Sequence, residues 1–234
     1  MKKQSIKKNR IKAILFDVGG VLALGENSKW KNGNFIPSGV HLNMAKKLKI
    51  SIDQYLDSID TAYVSAITGK LSKKEVLETL SKNFGIGSKK LRKLYLNSYK
   101  ENFKQNKELF NEMFKLKKQG YMIAVLSDQW FLSKEALMPH KFYKNFDEVI
   151  VSCDVGIRKP NKKIYQLAVK KLNFSPKEIL FIDNQKWNIL PAKKLGIKTI
   201  LFKSNKQLFK EKIWKALFSK PNKLIHSYSG KESK

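Results

Sequence analysis

Cysteine and histidine are scarce in this chain of 234 residues. Cys153 is the only cysteine, so an intrachain disulfide is impossible, which fits a reducing compartment. Because Cys153 ends an apolar run, we interpret it as a small core residue rather than a nucleophile. The three histidines, His41, His140 and His226, lie far apart with no pattern of partners, so the sequence identifies none of them as a catalytic base.

Acidic residues and arginine are also few. The chain has 48 Lys and Arg but only 19 Asp and Glu, a net charge of +29, and arginine occurs only at Arg10, Arg92 and Arg158. Such a charge attracts nucleic acids and membrane surfaces, but base reading and bidentate phosphate recognition favour arginine. The lysines are spread along the whole chain, so we interpret them as solvated faces. We therefore expect no specific nucleic-acid partner, only weak binding of polyanions.

Beyond residue 24, no apolar run is long enough to span a bilayer. The lysine-rich residues 2–12, followed by the apolar residues 13–24, imitate a signal peptide. Asp17 interrupts that apolar stretch, and an Asp at the centre of an inserted helix costs about 2.5–3.5 kcal/mol. We therefore expect a cytoplasmic protein without a membrane partner.

Asp17 is the most informative residue of the chain. It ends the apolar run 12–16 and leads into a glycine-rich turn. An open α/β sheet delivers a reactive acid to the carboxyl edge of a strand in this way. Three later segments also carry polar chemistry where an apolar run ends, at 126–128, 156–160 and 181–184. If their strands are neighbours, these groups converge.

The second half of the chain predicts a parallel sheet. After Gly120, apolar runs are followed by helical patterns, an alternation that indicates parallel strands joined by right-handed crossovers. The apolar runs are 121–126, 148–152, 179–182 and 198–202, and the helical segments lie near 161–173, 186–195 and 205–218. The fold class is therefore α/β, with a Rossmann-like, three-layer α/β/α core.

Between the first strand and that sheet lies a helical block. Residues 25–37 predict a loop, and helical periodicity follows it, with capping boxes at Ser51 and Ser72, a stop at Gly85 and a further cap at Ser88. The block therefore looks like an insertion. We predict a core at 1–24 and 105–218, an all-helical cap at 25–104 and a polar C-terminal tail at 219–234.

The converging strand ends predict a phosphate and metal site. Asp17 and Asp183 would place two carboxylates in one pocket, where they repel each other. A divalent cation would offset this repulsion, and Mg²⁺ prefers such oxygen ligands. Ser127 offers a hydroxyl to a phosphate oxygen. Lys159 adds positive charge at a helix entrance, where Asn161 can cap the next helix. The neighbouring Arg158 is the alternative candidate for the cation of the site.

The order and spacing of these segments resemble the haloacid dehalogenase-like (HAD) hydrolase superfamily. Residues 16–21, 126–128, 156–165 and 181–184 resemble its four motifs, and the match covers about 12–202. The helical block stands where the family has its helical cap. Four motifs in order are specific for the superfamily and much less so for the substrate.

The resemblance implies a role for each motif. Asp17 would be the nucleophile that accepts a phosphoryl group as an aspartyl phosphate, while Ser127 and Lys159 would stabilise the transferring charge. The predicted catalytic residues are therefore Asp17, Ser127 and Lys159; the predicted substrate-binding residues are Gly20, Ser127, Asp128 and Lys159; and the predicted Mg²⁺ ligands are Asp17, the Gly19 carbonyl, Asp183 and Asn184.

Two positions depart from the pattern of the phosphatases. Most carry a second Asp two residues after the nucleophile as general acid and base, and here that position is Gly19. Such help is typically worth about 10²–10⁴-fold, and poor leaving groups need it most. The second acid of the fourth motif is Asn184, which removes a negative charge and predicts weaker Mg²⁺ binding.

Three functions are compatible with these residues. The leading one is a Mg²⁺-dependent phosphatase of a small phosphorylated metabolite. A 2-haloacid dehalogenase, which also lacks the second Asp, is compatible with Gly19, but a metal-site acid such as Asp183 has no role there. A non-catalytic binding protein of the same fold would fit Gly19, Asn184 and the high positive charge. Neither the substrate nor the oligomeric state follows from the sequence.

Overall fold

The computed structural model describes residues 10–25, 29–31, 34–37 and 39–219. The predicted tail lies outside these residues except for its first residue. The strands are β1 Ala13–Phe16, β2 Ala23–Leu24, β3 Lys29–Lys31, β4 Asn34–Ile36, β5 Lys104–Gln105, β6 Met122–Ser127, β7 Glu148–Val151, β8 Ile179–Asp183 and β9 Lys198–Leu201. The helices are α1 Gly39–Leu48, α2 Ile52–Ala66, α3 Lys73–Phe84, α4 Ser88–Asn102, α5 Lys107–Lys118, α6 Phe131–Leu137, α7 His140–Tyr143, α8 Ser152–Val155, α9 Lys162–Leu172, α10 Lys186–Lys194, α11 Asn205–Leu208 and α12 Lys212–Phe218. Within the described ranges, no helix combines the length and the apolarity needed to cross a membrane.

Five parallel strands form the central sheet in the order β7-β6-β1-β8-β9, which confirms the predicted fold class. Side chains of β1 alternate between its two faces. Phe16 packs edge-on against Trp214 of α12 on one face, while Leu15 joins the cluster of Tyr165 from α9 on the other. Because β6 and β8 both pair with β1, the residues that follow these three strands lie side by side.

The helices α1–α4 are inserted between β2 and β5. These two strands pair antiparallel, Ala23 with Gln105 and Leu24 with Lys104, so the chain leaves and re-enters the sheet region at one place. The domain boundaries of the sequence analysis fall at this ribbon, and the division into two domains stays a prediction. Residues 25–37 are not simply a loop, because β3 and β4 pair there as an antiparallel hairpin.

Local capping sets the helix ends of the inserted block. Ser51 and Ser72 form the predicted capping boxes, and Gly85 ends α3 in the left-handed conformation. The predicted cap at Ser88 is wrong. Gly87 is the N-cap residue, and the Ser88 hydroxyl instead bonds the Ser81 hydroxyl at 2.8 Å.

The segment 205–218 forms two helices rather than one. Glu211 has an extended backbone and begins α12 as its N-cap residue, so the chain turns between α11 and α12. The turn stacks Phe209 on Trp214 at a centroid distance of 5.9 Å. Packing of Trp214 against the sheet therefore stabilises the chain more than one continuous helix over 205–218 would.

The inserted helices contact the sheet domain through aromatic and backbone contacts. Trp130, which follows β6, is buried, donates its indole N–H to the Tyr99 hydroxyl at 2.8 Å and meets the rings of Tyr63 and Tyr95. Trp130 therefore packs between the sheet and the inserted helices. On another side, Gly69 lies against the backbone carbonyl of Cys153.

Gly69 tests how closely the inserted block must approach the sheet domain. Gly69 and Gly85 both have positive φ, 65° and 63°, so alanine at either costs about 1–2 kcal/mol of backbone strain. A Cβ at Gly69 would overlap the Cys153 carbonyl oxygen, whereas a Cβ at Gly85 meets nothing within 4 Å. We expect Gly69→Ala to lower the free energy of unfolding by about 1–3 kcal/mol more than Gly85→Ala. Urea unfolding of both variants measures this, and equal losses would contradict the packing.

Candidate active site

Lys159 lies at the centre of the site, between two aspartates. Asn161 caps α9 by accepting the Lys163 N–H at 3.0 Å, and the Lys159 N–H donates to Asp128 Oδ1 at 3.0 Å. The side chain then runs inward, and only 2% of the residue is exposed. Its Nζ donates to Asp17 Oδ1 at 2.9 Å, Asp183 Oδ2 at 2.7 Å and the Leu126 carbonyl at 3.2 Å. All three ammonium hydrogens therefore have acceptors.

The charges of Lys159 and Asp17 depend on each other. Burial by itself disfavours the ammonium, but the attraction of Asp17 and Asp183 outweighs it, so the pKa of Lys159 lies above its ordinary value. Burial raises the pKa of Asp17 to about 6, against the opposing attraction of Lys159. With both carboxylates ionised, these three groups carry a net charge of −1. That charge suits a cation beside the carboxylates.

Asp183 is held by the start of α10. Its Oδ1 accepts the Gln185 N–H at 2.7 Å, and Asn188 Nδ2 donates to both carboxylate oxygens at 3.2 and 3.1 Å. Tyr165 donates its hydroxyl to the Asn188 carbonyl at 2.9 Å and so anchors that turn to α9. Asp183 is therefore fully buried yet well provided with donors.

Ser127 ends β6 with its hydroxyl oriented by a neighbour. Gln129 Nε2 donates to Ser127 Oγ at 2.9 Å, and the Gln129 backbone exchanges hydrogen bonds with the Ser152 hydroxyl. Since Ser127 accepts from Gln129, its own hydrogen can be donated to an anion. The sequence analysis did not identify Gln129, because nothing in its local pattern distinguishes it from a turn residue.

The Asp128 side chain binds the backbone at Lys159. Besides accepting the Lys159 N–H, its Oδ2 lies 3.8 Å from Arg158 Nε. Burial raises the pKa of Asp128. Asp128 thus fixes the backbone that presents Lys159.

These groups open into a cavity of about 210 Å³. Of the predicted site residues, six line it: Asp17, Gly19, Ser127, Asp128, Lys159 and Asn184. Asp183 is buried outside the lining and contacts Lys159 Nζ at 2.7 Å. Gly20 lines a neighbouring cavity of about 980 Å³, and its N–H donates to the Ala23 carbonyl at 2.7 Å, so that amide is committed to the turn.

The opposite wall of the 210 Å³ cavity comes from the inserted helices. His41 of α1, Tyr63 of α2 and Tyr99 of α4 line it, and half-exposed Trp187 of α10 stands beside them. Sequence reasoning missed all four. His41, Tyr63 and Tyr99 carry no motif and are far from the core motifs along the chain, so only the packing of the block brings them here. Trp187 closely follows the fourth motif, but nothing in the local pattern marks it as a lining residue.

The oxygen atoms around Asp17 fit Mg²⁺. Asn184 Oδ1 is buried without a hydrogen-bond partner, and Asn184 lines the same cavity as Asp17. Across the described ranges, no cluster of three or more His, Cys, Asp or Glu residues is arranged for a metal. A cation here would therefore rest on two carboxylates and neutral oxygens, a set that suits Mg²⁺ with its retained waters and not a nitrogen- or sulfur-seeking metal.

Comparisons with known proteins agree with the fold. The family model described as haloacid dehalogenase-like hydrolase matches residues 11–196. A crystal structure of a HAD family enzyme from Bacteroides thetaiotaomicron has a TM-score of 0.68 and 19% identity, covering 86% of this chain and all of that one. Another structure of that enzyme, in complex with magnesium and inorganic phosphate, has a TM-score of 0.65 and 20% identity over 83% of this chain and 96% of that one.

Curated relatives carry several functions. The chain is 28% identical to acyl-CoA dehydrogenase family member 10 of Mus musculus over 81% of its own length, but the match spans only 18% of that longer protein. It is 32% identical to glyceraldehyde 3-phosphate phosphatase of Pyrococcus furiosus over 40% of each chain. It is 33% identical to (S)-2-haloacid dehalogenase 4A of Burkholderia cepacia over 37% of this chain and 38% of that one.

Burial of His41 predicts a pH-dependent stability. Burial lowers the pKa of His41 from 6.5 to about 4. Between these pH values the unfolded chain binds a proton at His41 and the folded chain does not. The contribution of neutral His41 to stability is therefore fully present above pH 6.5 and is lost as the pH falls toward 4. As the pH falls from 6.5 to 4, the free energy of unfolding of His41→Gln should therefore decrease by about 2–3 kcal/mol less than that of the wild type. Urea unfolding across it measures the difference, and parallel pH profiles would contradict the burial.

Proposed function

The chain belongs to the haloacid dehalogenase-like hydrolases, and from that premise we propose that it is a Mg²⁺-dependent phosphatase of a small phosphorylated metabolite. The observation that carries the proposal is the buried Lys159 ammonium, held 2.9 Å from Asp17 and 2.7 Å from Asp183 at the wall of a cavity. A lysine so placed holds one Asp17 oxygen and lends positive charge to an anion beside it. Asp17 is thereby a fixed nucleophile next to a binding site for a phosphoryl group.

Asp17 would attack the phosphorus atom and accept the phosphoryl group as an aspartyl phosphate, which water then hydrolyses. The positive charge of Lys159 and the hydroxyl hydrogen of Ser127 face the developing charge on the phosphoryl oxygens. Stabilisation of that charge supplies most of the catalysis in phosphoryl transfer. Asp128 and Gln129 act through Lys159 and Ser127 by fixing their positions.

Mg²⁺ would be held by Asp17, the Gly19 carbonyl, Asp183 and Asn184, and when bound it supplies charge neutralisation between carboxylate and phosphate. Three features support this set: the net negative charge around Lys159, the unpaired Asn184 oxygen and the donors that fix Asp183. A related structure with magnesium and inorganic phosphate is consistent with it. The relative named as a glyceraldehyde 3-phosphate phosphatase suggests a small substrate.

A 2-haloacid dehalogenase is the second candidate. Gly19 leaves no acid two residues after Asp17, and one relative is named as a haloacid dehalogenase. In that reaction Asp17 would attack carbon and displace halide. The pairing of Lys159 with both Asp17 and Asp183 favours the phosphatase, because one ammonium balances only one of the two carboxylates and a reaction without a metal supplies no cation for the other.

Phosphate release from p-nitrophenyl phosphate tests the proposal, since its good leaving group needs little acid catalysis. We expect hydrolysis that requires Mg²⁺, stops with EDTA and falls by about 10³-fold or more in Asp17→Asn, which keeps the shape of the nucleophile but not its charge. Asp57→Asn, an exposed acid on α2, is the matched control and should retain activity.

Hydrolysis that survives in Asp17→Asn would refute the nucleophile. No hydrolysis, with chelator-insensitive halide release from a 2-haloacid, would establish the second candidate. If neither reaction occurs and the protein binds RNA in a salt-sensitive manner, the result would indicate a non-catalytic binding protein.

Asn184 is expected to limit the affinity for Mg²⁺. Asn184→Asp adds a negative charge at a residue that lines the cavity and whose side-chain oxygen has no hydrogen-bond partner. We expect it to lower the Mg²⁺ concentration for half-maximal activity by about tenfold, which corresponds to about 1.4 kcal/mol. Asn173→Asp adds the same charge at an exposed helix end and is the control. An equal effect of both variants would assign the change to net charge alone.

A further inference from the structure

The proposed phosphatase lacks a side chain that could protonate its leaving group from position 19. The titratable residues among the described ones that line the catalytic cavity are Asp17, His41, Tyr63, Tyr99, Asp128 and Lys159. Asp17 is the nucleophile, and the ammonium of Lys159 is engaged by three acceptors. Asp128 is engaged by the Lys159 N–H and by Arg158. The core side of the cavity therefore offers no uncommitted acid or base.

Three candidates remain on the side of the inserted helices. Burial raises the pKa of Tyr63 and of Tyr99, and the Tyr99 hydroxyl also accepts the Trp130 indole N–H. Both phenols are thus poor proton donors near neutral pH. His41 is the remaining group, and imidazole exchanges protons in that range more readily than any other side chain.

The imidazole of His41 has a fixed orientation. Its Nδ1 lies 3.3 Å from the Tyr55 hydroxyl, which in turn lies 3.0 Å from the buried Tyr95 hydroxyl. The ring also packs against the Tyr55 and Tyr63 rings at centroid distances of 5.6 and 6.4 Å. Because Tyr55 occupies Nδ1, Nε2 is the nitrogen left to meet a substrate.

His41 also lies on the side that the reaction geometry requires. Attacking and leaving oxygens stand roughly in line on opposite sides of the phosphorus. Asp17 attacks from the sheet edge, so the leaving oxygen faces the inserted helices, where His41 of α1 lines the cavity. In the second half of the reaction, water enters along the same line.

We propose that His41 is the general acid and base of this enzyme, in place of the side chain that Gly19 lacks. This proposal rests on the proposed phosphatase function. As Asp17 bonds to phosphorus, the bond to the leaving oxygen breaks and that oxygen takes the proton from His41 Nε2. Nε2 then takes a proton from the attacking water, the bond between phosphorus and Asp17 breaks, and phosphate leaves. His41 is protonated again at the end.

The proton for the first step can arrive with the substrate. The second pKa of a phosphate monoester lies near 6, so part of it is a monoanion at neutral pH. A buried, neutral imidazole can accept that proton beside the resulting dianion, because the negative charge stabilises the imidazolium. The low pKa of His41 in the free enzyme is therefore compatible with the role.

The test is the dependence of hydrolysis on the leaving group. For each enzyme, kcat/KM is measured with p-nitrophenyl phosphate and with n-propyl phosphate, whose leaving group needs a proton. We expect His41→Gln and His41→Asn to lose about 10²–10⁴-fold on propyl phosphate and far less on p-nitrophenyl phosphate. Asn keeps a donor to Tyr55, and Gln keeps a polar atom toward the cavity. The ratio of the two rates in one preparation does not depend on the fraction that is folded.

Tyr63→Phe is the matched control, because it removes a hydroxyl from the same wall. Its rate ratio should equal that of the wild type. An unchanged ratio in both His41 variants, or an equal change in Tyr63→Phe, would overturn the role of His41 while leaving a phosphatase that depends on Asp17. Absence of Asp17-dependent phosphate release in the wild type would overturn both proposals.

Discussion

The ion pairs of Lys159 are the constraint on which the site depends. A buried ammonium is costly unless it is paired and fully hydrogen-bonded. Its three acceptors are the side chain after β1, a carbonyl near the end of β6 and a side chain at the end of β8. The segment that leads into α9 must therefore lie where Lys159 can reach all three acceptors. Strand order, helix capping by Asn161 and the position of Asp128 all meet this one requirement.

The two sides of the cavity contribute different chemistry. The sheet edge holds charged groups in fixed positions, each oriented by neighbours such as Gln129 and Asn188. The inserted helices supply aromatic rings that pack on Trp130. His41 is linked to one of these rings, that of Tyr95, through the Tyr55 hydroxyl. Close packing of Gly69 against Cys153 sets how near the two sides approach. The proposed proton transfer therefore requires the helices to be in place, and that couples catalysis to exclusion of bulk water.

The high positive charge of the chain has little to do with this centre. Lys159 and its two aspartates carry a net negative charge when both acids are ionised. Among the described residues that line the 210 Å³ cavity, Lys159 is the one lysine. Pairs such as Lys47 with Glu101 and Lys171 with Glu148 lie at the surface, where an ion pair contributes little to stability. The broad field can still draw phosphorylated molecules toward the protein.

The sequence by itself determined the fold class and the capping boxes of α2 and α3, and it named six residues that line one cavity. These follow from local rules, since an apolar run ending in Asp17 or Asp183 carries both its strand and its chemistry in a few residues. It did not determine the β3–β4 hairpin, the break at Glu211, where Phe209 stacks on Trp214, or the cap of α4, where Ser88 bonds Ser81. Only the tertiary structure decided that His41, Tyr63 and Tyr99 line the same cavity as the core motifs. Their positions depend on how four helices pack on the sheet domain, which is a sum of many small contacts distant along the chain and leaves no pattern in any short segment.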